Sequence, residues 1–92
     1  MKITWDPVKA KSNRLKHRIF FPDVEPVFYD PNAISFEDSG SDDESRFIGI
    51  GLDALGRLVV VVYTYRKSVI RLISARRASK AEQRVYEKGI RF

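Results

Sequence analysis

The apolar run LVVVVYTY, from Leu58 to Tyr65, constrains the fold more than any other segment of the chain. It is rich in β-branched and aromatic residues and is apolar on both faces, which predicts a strand at the centre of a sheet that is covered on both sides. We place this strand at Arg57 to Tyr65, between strands at Arg46 to Leu52 and at Val69 to Arg76. Short turns join the three strands, so they should pair in order as an antiparallel sheet.

Helical signals precede the sheet. After a short strand at Ile3 to Trp5, Asp6-Pro7 predicts a helix over residues 7 to 17, because Asp can cap free N–H groups and Pro lacks only a donor that the first turn does not use. Val8 and Leu15 would form a narrow apolar stripe on this surface helix. A second, short helix that starts within Phe20-Phe21-Pro22-Asp23 and is ended by Asp30-Pro31 should bury Val24, Val27 and Phe28.

An edge strand at residues 33 to 36 leads from that helix into an acidic loop at 37 to 45. At the other end of the sheet, Ser79 and Glu82 have the spacing of a capping box. They predict a closing helix from Lys80 that ends at Gly89. The resulting order of helices, sheet and helix predicts an α+β fold.

The composition fits one compact domain over residues 1–92. Hydrophobic residues make up 43% of a chain of 92 residues, which is enough for one core but not for two. The chain has no Cys and one His, so it has no disulfide or thiolate zinc site, and we expect neither a metal nor a cofactor. No apolar run is long enough to span a bilayer, which favours a cytoplasmic protein with no membrane partner.

The charge is strongly basic outside the acidic loop. Seventeen Lys and Arg oppose twelve Asp and Glu, a net charge of +5, and five of those acids lie between residues 37 and 45. Without these five the balance is seventeen against seven, or +10. Such a surface attracts polyanions, chiefly nucleic acid, ribosomal surface or an acidic protein. The alternative is a soluble basic protein with no polyanionic partner.

The last strand carries the first candidate site residue, Arg71. Strict alternation puts Arg71 on one face with Val69, Ile73 and Ala75, and Arg76 on the other face with Ile70, Leu72 and Ser74. A lone guanidinium among apolar neighbours is costly, so Arg71 needs either a carboxylate partner or an anionic ligand. The candidate partners are Glu44, Asp53, Glu82 and Glu87.

Arg76 and Arg77 come just before the closing helix. The N-terminus of a helix favours an anion, so these cations and the helix dipole could form a phosphate seat. Tyr86, on the same helix, could reach that seat with its phenol. The alternatives are solvated charges at the strand end and a tyrosine ring packed against the sheet.

A second basic cluster, Lys16-His17-Arg18, ends the first helix. Cations at a helix C-terminus are favourable in any case, which accounts for the cluster without a function. His17 is nevertheless the one side chain whose ordinary pKa lies near neutrality. If it faces the same groove as Arg71 and Arg76, it can transfer protons; otherwise a lysine, a tyrosine or a carboxylate with a shifted pKa must do so.

Five motifs, in this order and spacing, resemble the BrnT family of type II toxins. They are WDPVKAKSNRLKH near the start, VFYDP after a phenylalanine, the E-x-R of Glu44 to Arg46, GRLVVVVYT, and IRLISARRASKAEQRVYE. The resemblance implies an endoribonuclease toxin with a RelE-like fold. It also implies a BrnA-type antitoxin, whose ribbon-helix-helix domain would bind the operator DNA and link the toxin to it indirectly.

The chemistry implied by the resemblance is metal-independent RNA cleavage, in which the ribose 2′-hydroxyl attacks the adjacent phosphorus. Arg71 and Arg76 would contact the phosphorane oxygens, and His17 or Tyr86 would transfer the proton. Lys16, Arg46, Arg66, Lys67 and Arg77 would bind the RNA. The alternative function is a basic RNA- or protein-binding module without catalysis.

Two positions depart from the family pattern. Arg18 stands where family members usually have Gly, which predicts a helix end that is either strained or differently built. Arg66-Lys67-Ser68 stands where family members tend to have Gly and Asp in the last hairpin turn. Both changes add positive charge near the expected groove.

Overall fold

A computed structural model describes residues 1–38 and 45–89 of the chain. A five-stranded sheet with the order β1-β5-β4-β3-β2 forms its centre, with helices on either side. The strands are β1 (Ile3–Trp5), β2 (Ile34–Asp38), β3 (Arg46–Leu52), β4 (Leu58–Arg66) and β5 (Val69–Arg77). The helices are α1 (Pro7–His17), a 3₁₀ helix (Phe21–Tyr29) and α2 (Lys80–Lys88). The predicted α+β fold is confirmed.

The strand β4 lies at the centre of the sheet, as its apolar sequence predicts. It pairs antiparallel with β3 and with β5, and β2 pairs antiparallel with β3. The short β1 adds a parallel edge beside Ile70 to Leu72 of β5, a pairing that the hairpin pattern does not reveal. In the described part of the chain, neither α-helix is long and apolar enough to cross a membrane.

One face of the sheet, which we call the core face, packs against α1 and the 3₁₀ helix. Its strands contribute Val59, Val61, Tyr63, Ile70, Leu72 and Ala75, and the covering segment contributes Ile19, Phe21, Val24 and Val27. Burial of these side chains supplies most of the hydrophobic driving force. The helix at 21 to 29 buries the predicted valines but is a 3₁₀ helix, and Pro26 inside it lacks the N–H that a regular helix would use.

The side of α1 that faces the sheet is polar, contrary to the predicted apolar stripe. Val8 and Leu15 are each 77% exposed, whereas Asn13 is buried. The Asn13 amide accepts from the N–H of Ala75 at 3.1 Å and donates to the carbonyl of Ala75 at 2.9 Å. Strand β1 pairs with β5 only as far as Leu72, so Asn13 replaces a strand partner beyond that point.

A β-bulge in β5 changes which arginines share a face. Val62 pairs with Ser74 while Tyr63 pairs with Leu72, so Ile73 has no partner on β4. An extra residue shifts the alternation that follows it. Arg71, opposite Thr64, and Arg76, opposite Val60, therefore project on the same face of the sheet. The prediction that they lie on opposite faces is wrong.

The closing helix α2 begins and ends as predicted. Ser79 and Glu82 form the capping box, and Gly89 ends the helix in the left-handed conformation, with φ of 68°. Three other residues that are not glycine also have positive φ: Arg18 at 59°, Lys67 at 50° and Ser68 at 71°. The strain expected where Arg18 replaces Gly is present, and the last hairpin turns through two residues that rarely adopt this conformation.

Candidate nucleic-acid interface

The face of the sheet opposite the core face, which we call the open face, is arranged in three rows that run across the strands. The first row lies beside α2 and comprises Ile34, Ile50, Val60 and Arg76. The second row comprises Phe36, Ile48, Val62 and Ser74. The third row, at the end of the sheet remote from α2, comprises Asp38, Arg46, Thr64, Arg71 and Thr4.

The third row and the position beyond it on β4 bring together three of the predicted cations. The register of β3 on β4 places Arg46 beside Thr64, and Arg71 pairs with Thr64 on the other side. The Cα atoms of Arg46 and Arg71 are thus about 10 Å apart, two strand spacings. Arg66 projects on the same face two residues beyond Thr64. We call Arg46, Arg66 and Arg71 the arginine cluster.

Thr64 holds the centre of this row rigid. It is only 2% exposed, and its hydroxyl donates to the carbonyl of Ser45 at 2.8 Å. That bond fixes the start of β3 against the end of β4. The two flanking arginines therefore extend from a backbone that is paired on both sides.

Arg71 has no carboxylate within salt-bridge distance among residues 1–38 and 45–89. Of the predicted partners, Asp53 binds Arg57 at 2.7 Å and Glu82 binds Arg76 at 2.7 Å. Glu44, which belongs to the E-x-R motif, lies outside the described residues, as does most of the acidic loop. Arg71 is half-buried and extends toward the surface, which suits a guanidinium that binds an anionic ligand.

The second row forms the floor of an apolar groove. A cavity of about 290 Å³ lies between this floor and α2, bounded by Phe36, Ile48, Val62 and Val85. Arg76 and Glu82 close one end of it. The open face thus carries an apolar groove next to α2 and, on the side of the groove away from α2, the arginine cluster.

Arg76 is engaged with α2. Its two terminal nitrogens donate to the two carboxylate oxygens of Glu82 at 2.8 and 2.7 Å. Glu82 Oε1 also accepts from the N–H of Ser79 at 2.8 Å. The Arg76 guanidinium lowers the pKa of Glu82 to about 2, and the same pair raises the pKa of Arg76. The predicted phosphate seat at the start of α2 is therefore occupied by the protein's own carboxylate.

The cations at the end of α1 lie far from the arginine cluster. The carbonyl of Arg18, next to His17, accepts from Arg57 Nη1 at 3.3 Å, and Arg57 directly precedes β4. Thr64 lies six residues further along β4 than Leu58, or about 20 Å. Arg77 also lies near the start of β4, opposite Val59 and on the core face. The structure does not bring His17, Lys16 or Arg77 together with Arg71.

Tyr86 forms a link between α2 and the 3₁₀ helix. Its hydroxyl donates to Asp30 Oδ2 at 2.7 Å, and the same oxygen accepts from the N–H of Leu52 at 3.0 Å. Neither interpretation of Tyr86 from the sequence included this bond. Asp30 precedes Pro31 at the end of the 3₁₀ helix, a position typical of a residue that caps a turn.

An aromatic cavity of about 270 Å³ lies on the core face, at the same end of the sheet as the arginine cluster. Its walls include Phe28, Tyr63 and Tyr65, and its floor includes Gly49. The Phe28 and Tyr63 rings meet edge to face at 5.0 Å between centroids. Sequence reasoning missed this cavity, although tyrosines two residues apart on one strand and a glycine on the neighbouring strand, diagonal to Tyr63, were a detectable signal.

The arginine cluster can bind phosphate and stabilise added negative charge on it, because a guanidinium offers several fixed donors. Lys67, in the adjoining turn, and Tyr65, on the neighbouring position of β4, are the groups nearest in sequence that can exchange a proton. In the part of the chain that the structure describes, no three His, Cys, Asp or Glu residues are grouped as a metal site.

Comparison with known proteins identifies the family. A crystal structure of the Brucella abortus ribonuclease toxin, BrnT, matches with a TM-score of 0.68 and 28% sequence identity, over 87% of this chain and 99% of that chain. No curated protein sequence matches at a significant level. The family model described as "Ribonuclease toxin, BrnT, of type II toxin-antitoxin system" matches residues 5–82. The chain therefore belongs to the BrnT family of type II toxin–antitoxin ribonuclease toxins.

Proposed function

We propose that this chain is an endoribonuclease toxin that cleaves RNA without a metal ion and binds the RNA at the arginine cluster. The observation that carries the proposal is the position of Arg46 and Arg71 on either side of Thr64. Arg71 has no carboxylate within salt-bridge distance in the described residues, and Asp38 lies opposite Arg46 on β2. Guanidinium groups held by paired strands need little reorganisation when a phosphate arrives. The RNA substrate implies that the toxin acts in the cytoplasm.

In the proposed reaction the 2′-hydroxyl of a ribose attacks the adjacent phosphorus. The bond from phosphorus to the 5′-oxygen breaks, leaving a 2′,3′-cyclic phosphate and a 5′-hydroxyl. Arg71 and Arg46 neutralise the charge that develops on the non-bridging oxygens, and Arg66 holds a neighbouring phosphate. His17 is remote from this point and Tyr65 projects to the other face of the sheet, so we assign proton transfer to Lys67 in the adjoining turn.

Fewer residues contact the RNA at the proposed cleavage site than the sequence led us to expect. Arg76 and Tyr86 act through α2, because their side chains bind Glu82 and Asp30. They hold the wall of the apolar groove. His17, Lys16 and Arg77 could contact only a more distant part of a long RNA.

The test is cleavage of a single-stranded RNA by the purified chain in the presence of EDTA. Loss of one charge-stabilising donor costs about a hundredfold or more in rate. We expect Arg71→Ala to slow cleavage by about that factor and the wild type to produce cyclic phosphate ends. Arg84→Ala removes an exposed cation on α2 and serves as the matched control, with an unchanged rate.

Two results would contradict the proposal. One is cleavage by Arg71→Ala at the wild-type rate, and the other is loss of wild-type cleavage when EDTA is added. A second candidate function, RNA binding without cleavage, is favoured by the absence of a histidine from the arginine cluster. It predicts that the wild type binds this RNA but leaves it intact.

The antitoxin is expected to be of the BrnA type, with a ribbon-helix-helix domain that binds operator DNA. The apolar groove and the arginine cluster lie side by side on the open face, so a segment with apolar and acidic side chains would cover both. We expect Phe36→Asp to weaken the complex, measured by co-purification of the two proteins. An antitoxin that contacts neither Arg71 nor Arg76 would contradict this mode of binding.

A further inference from the structure

The aromatic cavity on the core face has the features of a site for a flat, polar ligand. Phe28 and Tyr63 form one wall, and Phe47 stacks on Tyr63 with centroids 5.8 Å apart and planes at 25°. The Tyr65 ring stands edge to face against Phe47 at 5.4 Å and is 51% exposed, so one of its faces is available at the mouth. Stacking on aromatic side chains is a general way of binding bases of single-stranded nucleic acid.

Polar groups inside the cavity can recognise the edge of such a ligand. The hydroxyl groups of Tyr63, Tyr65 and Ser35 all border the cavity, and Ser35 and Tyr65 lie close enough to Tyr63 to influence its pKa. Burial raises the pKa of Tyr63, so its phenol stays protonated near neutral pH and can donate. A ring of hydroxyl groups within an aromatic wall suits a nucleobase, whose edge carries both donors and acceptors.

The absence of a side chain at Gly49 leaves room in the cavity. A Cβ atom at this position would lie 3.4 Å from Tyr63 Cε1, an ordinary contact. A side chain at position 49 would therefore not clash with the neighbouring backbone. Its effect is to keep the floor of the cavity open between Tyr63 and Ser35.

The position of the cavity relates it to the arginine cluster. Tyr65 and Arg66 are neighbours on β4, so their side chains project to opposite faces at the same end of the sheet. The turn at Lys67 and Ser68 forms the end of the hairpin, with the arginine cluster on one side of it and the cavity on the other. An RNA chain that passes around the end of this hairpin can place a phosphate on the arginine cluster and a base from further along the same chain in the cavity.

We infer that the cavity bounded by Phe28, Tyr63 and Tyr65 binds one nucleobase of the same RNA whose phosphate the arginine cluster holds. The inference rests on the proposed function. It makes Tyr65 a binding residue that contributes to substrate preference, with the Tyr63 and Ser35 hydroxyls reading the base edge. Nothing in the arginine cluster itself distinguishes one base from another.

The experiment measures affinity for a short 2′-O-methyl RNA, which cannot be cleaved, by fluorescence anisotropy. A series of oligonucleotides carries one abasic residue at each position in turn. We expect one abasic position to weaken wild-type binding about tenfold, the loss that stacking of a single base implies. Tyr65→Ala should weaken binding of the intact RNA by a similar factor and no longer respond to that abasic position.

The controls separate the cavity from other causes. Tyr65→Phe keeps the ring and should bind within about twofold of the wild type, since stacking does not need the hydroxyl. Tyr29→Ala removes an equally exposed tyrosine, 58% exposed, that does not border the cavity, and should bind normally. A cooperative thermal transition for each variant confirms that it is folded.

Equal binding of intact and abasic RNA by the wild type at every position would overturn the inference, as would normal binding by Tyr65→Ala. Arg71→Ala distinguishes this failure from failure of the proposed function. If Arg71→Ala weakens binding of both intact and abasic RNA, the phosphate site stands whatever happens at Tyr65. If Arg71→Ala binds like the wild type, the proposed RNA site itself is wrong.

Discussion

At the scale of single residues, the chain retains strain at two of its basic segments. Arg18 ends α1 at φ of 59°, and Lys67 and Ser68 form the last hairpin turn at φ of 50° and 71°. A residue with a side chain in this conformation costs about 1 kcal/mol relative to glycine. Both segments are basic, so each places positive charge at a strained position.

Replacing Arg18 with glycine tests this strain. We expect Arg18→Gly to raise the free energy of unfolding by about 1 kcal/mol, because glycine adopts positive φ without a steric cost. The carbonyl of residue 18 remains available to Arg57. Urea denaturation measures the change. Lys16→Gly is the matched control inside the same last turn and should lower stability by about 1 kcal/mol.

Single residues also show where sequence reasoning reached its limit. The Ser79 and Glu82 pair was predicted from spacing, since a capping box is a local pattern. The sequence did not reveal that Glu82 is the partner of Arg76. Glu82 takes part in the helix cap and also binds the guanidinium, and its role in the cap gave no sign of the second interaction. Glu82 was instead one of the candidates for Arg71. Local spacing alone cannot choose between two arginines on the same strand.

At the scale of elements, each predicted strand and helix is present, but two faces differ from the prediction. The bulge at Ile73 moves Arg76 to the face of Arg71, and no residue in this apolar stretch signals an inserted position. Asn13 determines which side of α1 faces the sheet, because its amide completes the hydrogen bonds of β5 at Ala75. Polar backbone groups of a neighbouring strand thus outweigh the apolar stripe of the helix. Both effects are tertiary and cannot be seen in one segment.

The attachment of α2 to the sheet should depend on pH through Glu82. The pKa of this carboxyl falls from its ordinary value of 4.5 to about 2 in the folded chain, mainly through Arg76. A lowered folded pKa means that the stabilisation is complete above about pH 4.5 and is lost as the pH falls toward 2. Because Arg76 is 45% exposed, we expect a contribution of only roughly 1 kcal/mol.

Urea denaturation between pH 2 and pH 7 measures this contribution in the wild type and in Glu82→Gln. The variant should be less stable above pH 4.5, and the difference between the two proteins should shrink as the pH falls. A constant difference over the whole range would show that the ion pair does not stabilise α2.

At the scale of the whole molecule, the sheet separates two kinds of surface. The core face is covered by α1 and the 3₁₀ helix, and the open face is covered by α2 beside one row only. Three of the seventeen Lys and Arg residues, Arg46, Arg66 and Arg71, lie together at the end of the open face far from α2. The family and fold were accessible from sequence because they depend on motif order and alternation. The grouping of Arg46, Arg66 and Arg71 depends on strand register, which sequence does not specify.

The salt dependence of RNA binding tests most directly whether the arginine cluster holds phosphates. Binding of single-stranded RNA loses affinity with salt in proportion to the phosphates neutralised, with a slope of about −0.7 per contact in a plot of log K against log salt concentration. For an uncleavable 2′-O-methyl RNA, we predict that removing both Arg46 and Arg71, which bind the same phosphate, makes the slope shallower by about 0.7, while Arg84→Ala leaves it unchanged. A slope that is the same in the wild type and in the double variant would contradict the account.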